Sequence, residues 1–260
     1  MAHDPWDPGR YGRFARERRQ PFRDLCARLR PAAGMRVVDL GCGPGDTTRL
    51  LHDRLGARDT LGLDTSPNML ARAATLAGGG LRFAQRDIAT FDDDAAWDLV
   101  FSNAALHWLD DHPALFGRLV RALRPGGQLA LQFPANFGHA SHVAADDTAA
   151  AEPFATHLGG WRRSVPVLEP ERYAELLCDL GCTEQQVDLR IYGHRLAGVD
   201  DVLEWTRGTL LTDYERRLRP EVYTAFLARY RSRLHEVLGS PSPYFYTYRR
   251  FLIWARRGTA

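Results

Sequence analysis

The sequence predicts an α/β fold with a doubly wound, mostly parallel sheet of about seven strands, and three observations carry that reading. A short apolar run, Val37-Val38-Asp39-Leu40, has the composition of a strand buried on both faces. Glycines at 41, 43 and 45 then force a tight turn, and Asp46-Thr47-Thr48-Arg49-Leu50-Leu51 reads as a helix that starts on a capping residue. From residue 35 to residue 133 strand-like and helix-like segments alternate, which is the pattern of crossover units in a parallel sheet. A chain of 260 residues is long enough to bury such a core and still carry insertions.

Residues 1–34 precede the first strand. Pro21 reads as the opening of a helix whose Phe22, Leu25, Cys26 and Leu29 share one face. Ahead of it Trp6, Tyr11 and Phe14 lie beside Arg16, Arg18 and Arg19, a cluster suited to an arm or lid over a site mouth. Residues 60–64 form the second strand, which ends in Asp64. Ser66 caps the next helix, with Pro67 at its first position. The third strand, residues 81–84, leads to Asp87-Ile88. The fourth, residues 97–103, ends at Asn103 and is followed by His107 and Trp108. An amphipathic helix over 113–123 and a fifth strand over 128–133 complete the alternation.

Residues 134–170 break it. A long insertion after a strand in a compact domain is often functional, and this one holds His139, His142, His157, Trp161, Arg162 and Arg163. The histidines lack a ligand-like spacing with acidic partners, so no metal is expected. A helix from Glu169-Pro170 runs to Gly181-Cys182, and residues 187–192 form a further strand. Residues 193–240 carry helical periodicity through Val199, Val202, Leu203, Tyr223, Phe226, Leu227, Tyr230 and Leu234. They read as a small helical cap inserted before a last strand over 244–255, which pairs antiparallel with the preceding one. The expected organisation is an N-terminal arm (1–34), a core (35–192 and 241–260, including the 134–170 insertion) and a cap (193–240).

The glycine turn narrows the ligand. A pyrophosphate site wants glycine at the sixth position of G-x-G-x-x-G, whereas Asp46 stands there and Asp39 adds a second negative charge. A ligand with cationic groups and no phosphate fits better, and S-adenosylmethionine, with an ammonium, a sulfonium and an adenosine, is one. Asp64 lies 25 positions after Asp39, where an acidic residue meets a ribose in such units. Asp87 is placed to accept the adenine amino group, with Ile88 against the ring. Thr65, Met69, Asn103 and Trp108 are counted with Asp39, Gly41 and Gly43 as cofactor candidates, since ligands bind at the carboxyl ends of the strands.

Composition excludes several classes. A net charge of +2 with no basic block argues against a nucleic-acid partner. All 34 basic residues are arginine, so lysine Schiff-base and P-loop lysine chemistry are absent. The four cysteines form no zinc pattern, and no signal peptide or long apolar run is present, which leads to the expectation of a cytoplasmic protein with reduced thiols and no membrane contact.

The run Asp39-Leu40-Gly41-Cys42-Gly43-Pro44-Gly45 resembles motif I of the class I S-adenosylmethionine-dependent methyltransferases, and residues 35–133 resemble their Rossmann-like core. The whole chain is similar to the trans-aconitate methyltransferase family. That likeness is carried by Trp6-x-Pro8-x-x-Tyr11-x-x-Phe14 with Arg18 and Pro21, by Asn103-Ala104-Ala105-Leu106-His107-Trp108, and by Asn136-Phe137 with Ser141-His142. Tyr173-Ala174-Glu175-Leu176-Leu177, Gly181-Cys182, Trp205-Thr206 and Arg250-Phe251-Leu252 extend it. Two positions depart: the family often has arginine where Gln20 stands, and some members carry one near the place of Thr212. The resemblance implies esterification of one carboxylate of trans-aconitate, with S-adenosylhomocysteine as the second product. A carboxylate is ionised at pH 7 and needs no general base, so no catalytic residue is assigned; His107 is the candidate if one exists. Tyr11, Arg18, Arg19, His107, His142, Trp161, Arg162 and His194 are the candidates for holding a polycarboxylate. Open alternatives are a methyltransferase for another small acceptor, such as a phenol or a natural-product acid, one acting on nucleic acid or protein, and a non-catalytic module that binds the cofactor. Either a monomer or a homodimer is compatible with the sequence.

Overall fold

The computed structural model describes residues 15–259, with side chains from residue 19 onward. Tyr11 and the side chain of Arg18 therefore lie outside the described residues. Seven strands form one sheet in the order β3-β2-β1-β4-β5-β7-β6. They are β1 (Arg36–Leu40), β2 (Asp59–Asp64), β3 (Leu81–Gln85), β4 (Trp97–Asn103), β5 (Leu123–Pro134), β6 (Cys182–Leu196) and β7 (Tyr244–Arg257). The first five strands are parallel, and β7 slots between β5 and β6 antiparallel to both. The strand order reverses at β1, so the crevice above β1 and β4 is where a ligand is expected.

Ten helices flank or follow the sheet among the described residues: α1 (Ala15–Cys26), α2 (Asp46–Leu55), α3 (Pro67–Ala73), α4 (His112–Ala122), α5 (Ala140–Ala150), α6 (Phe154–His157), α7 (Pro170–Asp179), α8 (Val199–Arg207), α9 (Thr212–Arg217) and α10 (Pro220–Leu238). The helices that follow β1 and β2 are bounded by residues suited to the task. Ser66 caps α3 by accepting from Met69 N at 3.1 Å, and Pro67 takes the first helical position. Gly56 ends α2 in the left-handed conformation.

The sequence reading needs four corrections. Pro21 does not open α1; it lies inside a helix that starts six residues earlier, at Ala15. A proline there removes one intrahelical bond, and burial of Phe22, Leu25, Cys26 and Leu29 against Val37, Phe101 and Trp254 holds the helix regardless. Asp46 is not the cap of α2. Gly45, at φ 82°, holds the cap position without a side-chain bond, and Asp46 is the first helical residue, 3.4 Å from Arg72. Strand β5 begins five residues earlier than expected, through Arg124-Pro125-Gly126-Gly127, with a register shift between Trp97 and Leu99. Strand β6 runs on to Leu196, because its whole length pairs with β7, so the cap helices start at Val199 rather than 193.

The core falls into three clusters. One fills the face under α4 and α7, and one lies under α1 and α2. The third belongs to the late helices: Ala144, Ala145, Phe154, Trp205, Tyr214, Phe226 and Tyr230 bury one another together with Tyr246 and Tyr248 of β7. The insertion and the cap thus share one small core seated beside the carboxyl ends of the strands. No helix among the described residues is long and apolar enough to cross a membrane.

Candidate active site

A cavity of about 660 Å³ opens above β1 and β4. Its inner half is built by the core. The glycine turn enters it with Gly41 in the left-handed region at φ 76°, and a Cβ there would lie 2.2 Å from the Ala105 Cβ. Only glycine lets the turn pass beneath the β4 end. At Gly43, which also lines the cavity, an added Cβ meets nothing within 4 Å, so its surroundings are open space.

Asp64 closes this end. Its Oδ2 accepts from Gly43 N and its Oδ1 from Ser66 N, both at 2.9 Å. The side chain is thereby fixed at the cavity wall, with lone pairs on both oxygens to spare. Asp87 also reaches the wall and caps the short turn Ile88–Thr90 through a 2.8 Å bond from Ala89 N. Thr65, Met69, Ile88, Asn103 and Trp108 line the same half.

Asp39 does not reach the wall. It is buried beneath the glycine turn, where Oδ2 accepts from Thr48 Oγ1 at 2.6 Å and Oδ1 has no partner among the described residues. Burial pushes this carboxyl up to about 7; the Thr48 hydroxyl opposes the push and the Asp64 charge adds to it. A carboxyl raised in the folded state favours folding below the unfolded value near 4, and that contribution is lost as pH rises through 7. Asp39→Asn keeps the Thr48 contact without the charge. It is expected to raise the melting temperature of the cofactor-free protein at pH 8, by roughly 2–4 °C per kcal/mol recovered, and to give no gain at pH 4. Calorimetry at the two pH values checks it.

The outer half is cationic and aromatic. Arg162, Arg163 and Trp161 come from the insertion, and Arg216 and Arg217 from α9. Arg19 of α1 also reaches the wall. Arg163 is already paired: its Nε and Nη2 meet the two Asp146 oxygens at 3.1 and 2.7 Å, and Tyr214 donates to the same carboxylate at 2.7 Å. Arg216 and Arg217 share Asp213 Oδ1 at 3.1 and 3.2 Å, and Arg217 stacks on the Trp161 ring at 3.9 Å. Arg162 makes no hydrogen bond or ion pair among the described residues.

His107 and His142 lie between the halves. Burial, with the nearby Arg250 and His112, holds the His107 imidazole down at about 3. Burial and the Arg163 charge hold His142 well below its ordinary value. Both rings are neutral at pH 7 and serve as hydrogen-bonding groups rather than charges. His194 is not on the wall. Its ring packs on Trp205, with centroids 4.8 Å apart, in the core of the cap. Sequence reasoning missed Arg216, Arg217, Asp213 and Tyr248. The signal for the first two lay in Asp213-x-x-Arg216-Arg217, one turn beyond Thr212, where the expected arginine is missing.

The turn, its acidic partners and the strand order define a class I S-adenosylmethionine-dependent methyltransferase, and the comparisons agree. A family model described as a methyltransferase domain matches residues 37–127. The chain is 42% identical to the trans-aconitate 2-methyltransferase of Deinococcus radiodurans over 97% of this chain and 98% of that one. It is 43% identical to the protein of the same name from Methylobacterium nodulans, over 89% of each. The chain belongs to the trans-aconitate 2-methyltransferase family, and its cofactor is S-adenosylmethionine. Among solved structures the fold is similar to the YcgJ protein of Bacillus subtilis, with a TM-score of 0.60 at 14% identity over 93% of this chain and all of that one. It is also similar to phosphoethanolamine N-methyltransferase 2 of Haemonchus contortus with S-adenosyl-L-methionine, with a TM-score of 0.56 at 20% identity over 92% of this chain and 52% of that one. The residues present fit the cofactor: an open, glycine-floored cradle flanked by Asp64 and Asp87 offers acceptors to hydroxyl and amino groups.

Proposed function

We propose that this protein esterifies one carboxylate of trans-aconitate, giving a monomethyl ester. The observation that carries the reading is the placement of Arg162, Arg216 and Arg217 on the outer wall of the cavity whose inner wall carries Gly43, Asp64 and Asp87. Guanidinium forks match carboxylates in a bidentate geometry. In this reading Asp64 holds the ribose hydroxyls, and Asp87 with Ile88 holds the adenine. Gly41, Gly43, Thr65, Met69, Asn103 and Trp108 shape the rest of the cofactor site. Asp39 acts from beneath by supporting the turn. S-adenosylmethionine, when bound, supplies a methyl group activated on a sulfonium. The arginines hold two carboxylates of the acceptor so that an oxygen of the third faces that methyl. Orientation of this kind supplies roughly 7–11 kcal/mol in well-aligned systems. The neutral histidines donate or accept hydrogen bonds and remove no proton. The insertion 134–170 and the helical cap together act as the acceptor-binding unit over a cofactor-binding core, and the N-terminal arm is assigned to the mouth. The setting is read as the cytoplasm, in keeping with four free cysteines.

The test is turnover with trans-aconitate beside citrate, cis-aconitate, isocitrate and a phenolic panel. Methyl ester from trans-aconitate supports the reading; product from an uncharged acceptor alone refutes it. A second expectation concerns pH. The acceptor carboxylate is ionised throughout and His107, held near 3, gains no proton above pH 6. With saturating cofactor, kcat is expected to vary less than about threefold between pH 6 and 8.5. A tenfold fall per pH unit below 6.5, abolished in His107→Ala, would instead mean a hydroxyl acceptor deprotonated by that histidine.

A further inference from the structure

Three buried or half-buried side chains at the β4 end form a chain in which only Asn103, on the cavity wall, has been given a role so far. Gln132 of β5 lies opposite Asn103 of β4 in the sheet register and is 1% exposed. Its amide is satisfied in one orientation: the nitrogen donates to Asn103 Oδ1 at 2.7 Å, and the oxygen accepts from Arg250 Nη1 at 3.1 Å. The backbone carbonyl of Gln132 accepts from Ala104 N at 2.7 Å, and Ala104 holds a left-handed φ of 63° on the cavity wall. Arg250 is itself buried and stacks on the Tyr248 ring at 4.7 Å, and Tyr248 lines the cavity.

The polarity of this chain follows from its charged end. A guanidinium only donates, so the Gln132 oxygen must face Arg250 and its nitrogen must face Asn103. Asn103 then accepts inward with Oδ1, and the end of its amide left for the cavity is the N–H pair. We propose that Arg250 is a positioning residue that fixes, through Gln132, the Asn103 amide with its N–H pair facing the cavity, where it donates to a carboxylate oxygen of the methyl acceptor. The proposal rests on the polycarboxylate reading for the identity of that oxygen, whereas the orientation of the amide does not depend on it. Near this wall the site prefers a ligand atom that accepts and disfavours one that donates, since a donor would leave two N–H groups facing it unpaired.

Gln132→Glu tests the polarity. Glutamate still accepts from Arg250 but cannot donate when ionised, so Asn103 turns its N–H pair inward and leaves an oxygen on the wall. The first readout needs no acceptor: hydrogen exchange of the Asn103 side-chain amide, assigned by its loss in Asn103→Ala. Exchange is expected to slow at least tenfold in Gln132→Glu. Equal rates in the two proteins overturn the proposal whatever the substrate. The second readout is selectivity. The affinity for trans-aconitate relative to its carboxamide analogues, measured by calorimetry with S-adenosylhomocysteine in place of the methyl donor, is expected to shift at least tenfold toward a carboxamide in Gln132→Glu. An unchanged ratio overturns the assignment of Asn103 to an acceptor oxygen, because a general loss of structure weakens both ligands alike. A second pair of variants guards against misfolding. Arg250→Lys keeps a donor for Gln132 and is expected to hold KM for trans-aconitate within threefold, while Arg250→Met raises it at least tenfold. Equal KM values in the two count against the relay. Should the wild-type protein esterify no polycarboxylate, the functional reading fails, and the exchange experiment still decides the orientation of Asn103.

Discussion

Asp64→Ala is expected to weaken S-adenosylmethionine binding by at least a hundredfold. The residue stands to lose two bonds to the ribose, and hydrogen bonds to a charged group are worth roughly 1.5–3 kcal/mol each. Together they amount to roughly 10²–10⁴ in affinity. A further loss arises inside the protein. Gly43 N and Ser66 N both donate to this carboxylate at 2.9 Å, so its removal also frees the glycine turn and the entry to α3. Asp64→Asn separates the two contributions. An amide oxygen still accepts from one backbone N–H but brings no charge, so an intermediate affinity is expected. Titration calorimetry with the cofactor measures all three proteins, and a wild-type affinity in Asp64→Ala would remove Asp64 from the ribose.

The second large effect separates two adjacent arginines. Arg162→Ala is expected to raise KM for the acceptor roughly 10–150-fold, the worth of one charge-assisted bond to a carboxylate, with cofactor affinity and melting temperature unchanged. Arg162 supports nothing else in the described structure. Arg163→Ala should behave differently. Its side chain is 6% exposed and pairs with Asp146, to which Tyr214 also donates. Breaking a buried pair typically costs about 3–5 kcal/mol; with Asp146 41% exposed, a smaller loss is expected here. The signature of Arg163→Ala is therefore a lowered melting temperature with KM rising as a consequence. Thermal melts beside steady-state kinetics distinguish the two, and a KM within twofold of wild type in Arg162→Ala would exclude it as an anchor.

The parallel core was legible because its signals are local. Val37, Val38 and Leu40 had to be a buried strand, Gly41 had to be glycine beneath Ala105, and Ser66-Pro67 had to start a helix. Asp64, Asp87 and Asn103 could be named because strand ends are where such folds place ligands. The outer wall was less legible. Arg216 and Arg217 reach the cavity only because the cap folds onto the insertion, a contact between segments some 50 residues apart in sequence, carried by Arg217 on Trp161. His194 was counted among the acceptor candidates, whereas its ring packs on Trp205. Asp39 was read as a ligand contact because it puts a negative charge at a strand end, where such folds bind ligands; its carboxylate instead lies a layer below, against Thr48. The relay from Arg250 through Gln132 could not be read in advance, since it joins three strands whose neighbourhood depends on β7 entering the sheet last.

The β6–β7 hairpin has a consequence for how such proteins change. Leu196 and Tyr244 are partners in its final rung, so the segment 197–243 leaves the sheet and returns to it at the same point. Paired residues in an antiparallel ladder stand about 5 Å apart, a gap that a short turn can span. The segment contributes no strand pairing and no part of the glycine cradle, so it can be exchanged as one cassette provided that the replacement again covers Ala144, Phe154, Tyr246 and Tyr248. This cassette carries Arg216 and Arg217 to the cavity wall, so under the acceptor roles proposed for them, exchange at one hairpin tip would retune which acid is esterified while the residues assigned to the methyl donor are inherited unchanged.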